Sequence, residues 1–262
     1  MWYSTGNAVV RLLLAPVCAA CQHPLERPLD GPVCARCWQT IPRLQPPLCD
    51  WCGDSLRRSS VIYTVCDRCL SSPPGFEIAR SAGLYAGSLR DLVHAFKYQR
   101  RRMLAAPLAG LLRSSGQAVL DGADAVIPVP LHPWRQMRRG FNQADDLAVH
   151  LRRPVWRVLR RSRHGPPQAT LAARHRHANV EAAFAQRWSW SLVPGSTTAS
   201  RLRHKTVVLI DDVMTTGATL DACSRVLLDA GVSAVRALTV ARAVAPEPRS
   251  PPQLPHLWSP QR

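Results

Sequence analysis

Apolar and polar positions fall along this chain in blocks that read alternately as strands and helices. Val207-Val208-Leu209-Ile210 is a run of four aliphatic residues between polar neighbours, the pattern of a strand buried on both faces. Ala123-Asp124-Ala125-Val126-Ile127-Pro128-Val129-Pro130 reads as a second strand, its prolines marking the end and a rigid turn through Leu131-His132-Pro133. Val155–Leu159 and Ala234–Ala241 read as two more. From Leu84 to Leu112 a short strand or turn leads into helices, where Leu89, Leu92, Val93 and Phe96 follow the i, i+3, i+4, i+7 spacing of one apolar face. Asn142–Leu151 repeats that signature with Ala144, Leu147, Ala148 and Leu151. Leu220–Ala230 is a further helix, with Gly231 as its stop. Strands alternating with helices predict an α/β fold: a parallel sheet flanked by helices and joined by right-handed crossovers.

Pro and Gly divide the chain. Ser71-Ser72-Pro73-Pro74-Gly75 reads as a boundary, giving a small module over 1–75 and a core over 76–243. The tail, 244–262, holds six prolines and reads as disordered. Ser162–Asn179, basic and broken by Pro166-Pro167, reads as a mobile loop, and Trp188–His204 as another. Leu12-Leu13-Leu14 is far too short an apolar run to span a membrane. Residues 1–17 also lack the long apolar region of a signal peptide, so an amphipathic lead-in helix in a cytoplasmic protein is expected.

Charge adds a preference for anions. The formal net charge is +17, and of 34 basic residues only Lys97 and Lys205 are lysine. Between Leu147 and Val180 there are eight arginines and no carboxylate. Lys97-Tyr98-Gln99-Arg100-Arg101-Arg102 and Arg135, Arg138 and Arg139 form two more knots. Such a field attracts nucleic acid, pyrophosphate or both; a solvated basic face is the plainer alternative. Trp38, Trp51 and Trp134, near arginines, are candidates to stack single-stranded bases, although burial is the commoner fate of tryptophan.

Eight of the nine cysteines fall in four Cys-x-x-Cys pairs: Cys18/Cys21, Cys34/Cys37, Cys49/Cys52 and Cys66/Cys69. Each pair is a knuckle that aims two thiolates at one point, and two knuckles complete a tetrahedral Cys₄ zinc site. Gly53 suits such a turn. One or two structural zinc ions are expected, with sequential or interleaved pairing both open. A module of 75 residues is too small to fold on apolar burial alone and depends on that metal. Cys223 reads as a packing residue.

The candidate chemistry follows the aliphatic run at 207–210. Asp211 and Asp212 stand at the carboxyl end of the strand, where open α/β sheets bind ligands, and Val213-Met214-Thr215-Thr216-Gly217-Ala218-Thr219 then turns into a helix. Backbone N–H groups and hydroxyls converge there, at a positive helix end, on a phosphate-sized anion. An acidic pair for a diol beside a phosphate cradle describes a ribose 5-phosphate site. The thirteen residues Val207–Thr219 resemble the 5-phosphoribosyl-1-pyrophosphate (PRPP) motif of type I phosphoribosyltransferases. The resemblance implies that Asp211 and Asp212 approach the ribose hydroxyls and that Thr215–Thr219 wrap the 5′-phosphate.

The four cysteine pairs, Phe96-Lys97-Tyr98, Ile127-Pro128-Val129-Pro130 with His132-Pro133, Arg139-Gly140-Phe141-Asn142-Gln143-Ala144, Arg174 and Asn179 before Ala183-Phe184, and the PRPP motif occur in the order seen in the ComF family. That resemblance, covering about residues 10–242, implies a type I phosphoribosyltransferase-like sheet behind a zinc module of double-ribbon kind. It further implies Pro130, Leu131 and His132 as a pyrophosphate loop with Arg138 and Arg139 near it, and Ser162–Asn179 as a closing loop. PRPP with Mg²⁺ is the implied ligand, and DNA uptake in natural competence the implied setting. The acceptor for a phosphoribosyl group is not identified. Beside a transferase, two readings stay open: an accessory protein that binds single-stranded DNA and keeps the PRPP site for regulation, and a zinc adaptor that docks a helicase-like competence partner through residues 1–75.

Overall fold

A computed structural model describes residues 2–56, 64–161, 184–186 and 198–243. The strands are β1 (Ile78–Leu84), β2 (Ala125–Pro128), β3 (Leu159–Arg161), β4 (Phe184–Gln186), β5 (Thr206–Met214) and β6 (Ala234–Arg242). Four of them build one parallel sheet in the order β1-β6-β5-β2. β3 and β4 make a separate antiparallel ribbon. No helix among the described residues is long and apolar enough to cross a membrane.

Period-two burial explains the core. Val208, Ile210, Leu238 and Val240 face one side of the sheet, where the helices Gly87–Tyr98, Ala105–Ser115 and Gln143–Ala148 pack. Val207, Leu209, Val235 and Ala237 face the other, against the helix Ala218–Asp229. All eight are fully buried, as a parallel sheet covered on both faces requires. The predicted helix faces hold: Leu89, Leu92, Val93 and Phe96 are buried, and so are Ala144, Leu147, Ala148 and Leu151. Cys223 is buried in the second core.

The cysteine module is divided between these two cores. Cys18, Ala19, Leu25, Val33, Cys37 and Ile41 belong to the first, and Cys49, Cys52 and Cys69 to the second. Between the two halves lies the outer edge of β1, whose Ala79 and Leu84 N–H groups donate to the carbonyls of Trp51 (2.6 Å) and Pro42 (2.8 Å). The module thus caps an edge that would otherwise present unpaired backbone groups. The approach is close: a Cβ on Gly83 would lie 2.7 Å from the Pro42 oxygen, and one on Gly53 2.6 Å from the Ala79 oxygen.

Some expectations change. β5 is longer than 207–210, because its ladder to β6 runs on through Asp211↔Thr239 to Met214↔Arg242; both acidic residues lie within the strand. Val155 makes only a single parallel bridge to Val126. The strand of this region starts at Leu159, past Arg157, which turns to pair with Asp145 at 2.6 Å. The helix expected over 142–151 spans Gln143–Ala148; Asn142 caps it, and 149–151 continue as turns that keep Leu151 buried. A helix does cover Trp2–Leu14, but among the described side chains its buried residue is Asn7, which accepts from the Leu29 N–H at 3.0 Å. Leu12, Leu13 and Leu14 are exposed. Thr198–Leu202, expected as loop, is helical, with Leu202 buried in the second core. Ser162–Asn179, residues 188–197 and the tail at 244–262 lie outside the described residues.

Two glycines test the packing with opposite signs. Gly83→Ala drives a Cβ into the Pro42 carbonyl and the Leu89 side chain and is expected to cost about 1–3 kcal/mol. Gly110→Ala, in a helix interior with nothing nearer than 3.7 Å, is expected to stabilise by about 0.4–1 kcal/mol. Urea unfolding midpoints at constant slope measure both.

Candidate functional site

The eight paired cysteines gather into two groups, Cys18/Cys21/Cys34/Cys37 and Cys49/Cys52/Cys66/Cys69, with the sulfurs of each group within 4.8 Å of one another. The pairing is sequential. The two groups are built as copies. In each, the N–H of the first cysteine donates to the carbonyl five residues on (Cys18 to His23, Cys49 to Asp54), and its own carbonyl accepts from the residue four on (Gln22, Gly53). Gln22 and Gly53 share a left-handed φ of 61° and 67°, so the first copy holds a side chain where the second has glycine. The third cysteine of each, Cys34 or Cys66, precedes a five-residue helix carrying the fourth and donates its N–H to the first sulfur at 3.4 Å.

Charge tuning prepares one thiolate per group. Burial pushes the Cys18 thiol up, but N–H groups of Cys34, Cys21 and Ala20 outweigh it and bring it down to about 6. At Cys52 burial is outweighed by the Asp54 N–H, by Arg68, 3.3 Å from the sulfur, and by Arg242, bringing it down to about 7. Four sulfurs converging with one already acidic is a donor set suited to Zn²⁺.

The second site lies at the carboxyl ends of β2 and β5, around a cavity of 350 Å³. Asp211 and Asp212 enter its wall from β5, Val129, Pro130 and Leu131 from the turn after β2, and Thr215 and Thr219 from the turn into the helix Ala218–Asp229. That turn depends on Gly217 (φ 87°), where a Cβ would also strike Met214 at 2.7 Å. Among the described residues, four cations line the same cavity: Lys97, Arg135, Arg139 and Arg161. Lys97 reaches Asp212 at 2.8 Å, with both side chains largely buried. Burial, then the neighbouring Asp212 charge, pushes the Asp211 carboxyl up to about 7, against the pull of Lys97 and Arg161.

Of the residues expected at this site, Asp211, Asp212, Val213, Thr215, Thr219, Pro130, Leu131 and Arg139 line the one cavity. Thr216 is exposed, its hydroxyl 3.4 Å from the Ala218 N–H; Met214 and Gly217 are buried beneath. His132 and Arg138 are not in the wall. His132 caps the helix Pro133–Arg139 by accepting from the Trp134 N–H, and the Arg138 guanidinium lies 5.7 Å over the Trp134 ring.

The cavity also recruits Lys97, Arg135 and Arg161, read from the sequence only as members of basic clusters, and Asn142 and Gln143, read only as part of the Arg139–Ala144 motif. Asn142 holds the Val129 carbonyl at 3.0 Å. Gln143 is fully buried: its oxygen accepts from Arg139 at 2.9 Å, and its amide nitrogen has no partner among the described residues. The sequence had marked Lys97 as the head of a basic knot and as part of Phe96-Lys97-Tyr98, and as one of two lysines in a chain that otherwise uses arginine.

Because the cysteine groups complete both cores, loss of a ligand should reach the whole fold. Cys18→Ser and Cys49→Ser are each expected to remove one equivalent of bound zinc and several kcal/mol of stability, in one unfolding transition rather than two. Metal analysis and calorimetric melting check both points. Melting of the module alone, with the sheet untouched, would contradict the shared core.

Comparison with known sequences finds two domain matches. A double zinc ribbon domain matches residues 9–70, and a phosphoribosyl transferase domain matches residues 137–252. Competence protein F of Haemophilus influenzae is 32% identical over 238 residues, covering 86% of this chain and 96% of its own. The DNA utilization protein YhgH of Escherichia coli is 32% identical over 246 residues, covering 89% and 100%. Competence protein ComFC of Bacillus subtilis is 26% identical over 222 residues, covering 82% and 85%. With its two sequential Cys₄ groups on a phosphoribosyltransferase-like parallel sheet, the chain belongs to the ComF family of competence and DNA-utilization proteins.

Proposed function

We propose that this protein binds PRPP in the 350 Å³ cavity and acts in the uptake or use of DNA. The observation that carries the binding half is one juxtaposition: a carboxylate pair, a threonine-rich turn at a helix start and four cationic side chains share a single wall. The names of the H. influenzae and E. coli relatives, competence protein and DNA utilization protein, support the biological half.

In this reading Asp211 and Asp212 accept hydrogen bonds from the ribose hydroxyls, and the Thr215–Thr219 backbone and hydroxyls surround the 5′-phosphate. Arg135, Arg139 and Arg161 face the pyrophosphate. Mg²⁺, when bound with PRPP, neutralises part of the pyrophosphate charge. In the displacement a nucleophilic acceptor forms its bond to C1 as the bond to pyrophosphate breaks, and pyrophosphate leaves with the electron pair. For the oxocarbenium-like state between, the carboxylates offer nearby negative charge and the arginines hold the leaving group. The acceptor remains unassigned.

A second reading, single-stranded DNA binding with the cavity kept for regulation, is favoured by the surface beside the site. The helix Pro133–Arg139 buries none of its side chains. Trp134, Tyr98 and Met137 are exposed there among arginines, with Arg139 5.0 Å over the Tyr98 ring. Aromatic faces with cations at hand suit stacked bases over a tracked backbone. Arg102 is committed elsewhere, in a two-point pair with Asp146 at 2.7 and 2.8 Å.

Two measurements test these readings. Calorimetry with Mg²⁺ and PRPP on zinc-loaded protein is expected to show binding that Asp211→Asn/Asp212→Asn loses. The wild-type affinity should weaken as pH falls from about 8 to about 6, because a carboxyl raised to about 7 takes up a proton in that interval and loses its charge and part of its acceptor capacity. Asp211→Asn, with no proton to take up, should give weaker binding and a flatter pH profile; a wild-type profile matching that of the variant would discard the assignment. For DNA, Trp134→Ala is expected to weaken oligothymidine binding by about 1–3 kcal/mol with an unchanged salt slope. Arg101→Ala/Arg138→Ala should reduce that slope by about 0.7 for each phosphate left without its cation. Unaltered affinity in both variants would remove this face.

A further inference from the structure

Lys97 stands out in the cavity wall for its chemistry. Every other cation there is an arginine, and apart from Lys97 the chain keeps only Lys205 as lysine, on Asp124 at 2.9 Å. Lys97 sits in the last turn of the helix Gly87–Tyr98, next to Phe96, whose burial in the first core fixes the helix on the sheet. That placement sends the ammonium to Asp212 at 2.8 Å, with side-chain exposures of 14% and 13%. A compact point charge fits beside a carboxylate in a space where the broad guanidinium fork does not present the same geometry. Asp211 and Asp212 are adjacent and would repel both one another and an incoming phosphate. With Lys97, Arg135, Arg139 and Arg161 in the same wall, the cationic side chains outnumber the carboxylates among the described residues.

We propose that Lys97 is the built-in counter-cation of the diol-binding pair, so that ribose 5-phosphate monoesters, nucleoside 5′-monophosphates included, bind this site without a divalent metal. The proposal rests on the ribose-phosphate reading of the cavity and extends it to a ligand class. A monoester brings only its 5′-phosphate, which the Thr215–Thr219 turn faces, and its diol, which meets carboxylates already neutralised by protein. PRPP differs in carrying a pyrophosphate, whose extra charge is what Mg²⁺ serves. Lys97 acts on the ligand through Asp212, as a positioning residue: its contact at 2.8 Å holds that carboxylate aimed and offsets its charge.

The test titrates ribose 5-phosphate into the full-length, zinc-loaded protein, in buffer freed of divalent ions by chelating resin and again with added Mg²⁺. Zinc content is measured before and after. Wild type is expected to bind with affinities within about threefold in the two buffers. Lys97→Met should lose at least about tenfold in the metal-free buffer and recover much of it with Mg²⁺, whereas Lys97→Arg should retain part of the metal-free binding. Melting curves separate misfolding from lost binding, and the ratio of the two affinities is a quantity that a purely structural lysine would leave unchanged. Wild-type binding that requires Mg²⁺, or a Lys97→Met protein with an unchanged ratio, overturns the proposal while leaving the ribose-phosphate reading intact. Absence of binding in both buffers, for ribose 5-phosphate and PRPP alike, removes that reading and the proposal together.

Discussion

The outer edge of β1 is the constraint on which the rest of this structure depends. A four-stranded parallel sheet must be covered on both faces, and its end strands leave backbone donors without partners. Here Trp51 and Pro42 meet the N–H groups of Ala79 and Leu84, and the two cysteine groups flank that seam, one joining each core. Chelation is therefore part of the folding of the sheet. Gathering each set of four thiolates fixes the Cys49–Cys52 knuckle that carries Trp51 and the helix Ala35–Gln39 that leads into Pro42, and those two segments complete β1.

The influence reaches the cavity through β6. Arg242, almost wholly buried at the end of that strand, donates to the Cys52 carbonyl at 3.3 Å and to Asp54 at 2.9 Å. Arg68 shares Asp54 and also touches the Cys52 sulfur. The next residue along the chain from Arg242, Ala243, pairs through its N–H with the Met214 carbonyl and lines the cavity. Two arginines thus satisfy the second cysteine group while anchoring the strand beside Asp211 and Asp212. A buried arginine is tolerated only with such partners, which ties the end of β6 to an intact second group.

Charge organises the cavity by a similar logic. Two adjacent carboxylates in a partly desolvated wall repel one another, and nearby cations offset part of that repulsion. Asp212 has Lys97 at contact distance; Asp211 is raised by burial and by the Asp212 charge. The same cations favour a phosphorylated ligand. The wider arginine surplus serves other ends as well: Arg102 and Arg157 hold Asp146 and Asp145 at the start of the helix Gln143–Ala148, so part of the basic surface is structural.

The sequence by itself determined what depends on neighbours along the chain. Periodicity marked the buried faces of the helices at 87–98 and 143–148, the aliphatic run marked β5, and four Cys-x-x-Cys knuckles marked the metal ligands, because each of these signals lies within one turn or one strand. The Asp211–Thr219 run was legible for that reason too: carboxylates, turn and helix start are consecutive. Tertiary structure alone decided which knuckles pair, because the near-equal spacing of the four pairs suits sequential and interleaved sites alike. It decided that β5 runs past its apolar core, since a ladder to β6 extends a strand whatever the polarity of its side chains. It placed Lys97 and Arg161 beside Asp211 and Asp212 from segments far along the chain, turned His132 into a helix cap and left Leu12–Leu14 exposed. Long-range packing selects among local possibilities that composition and spacing leave equal.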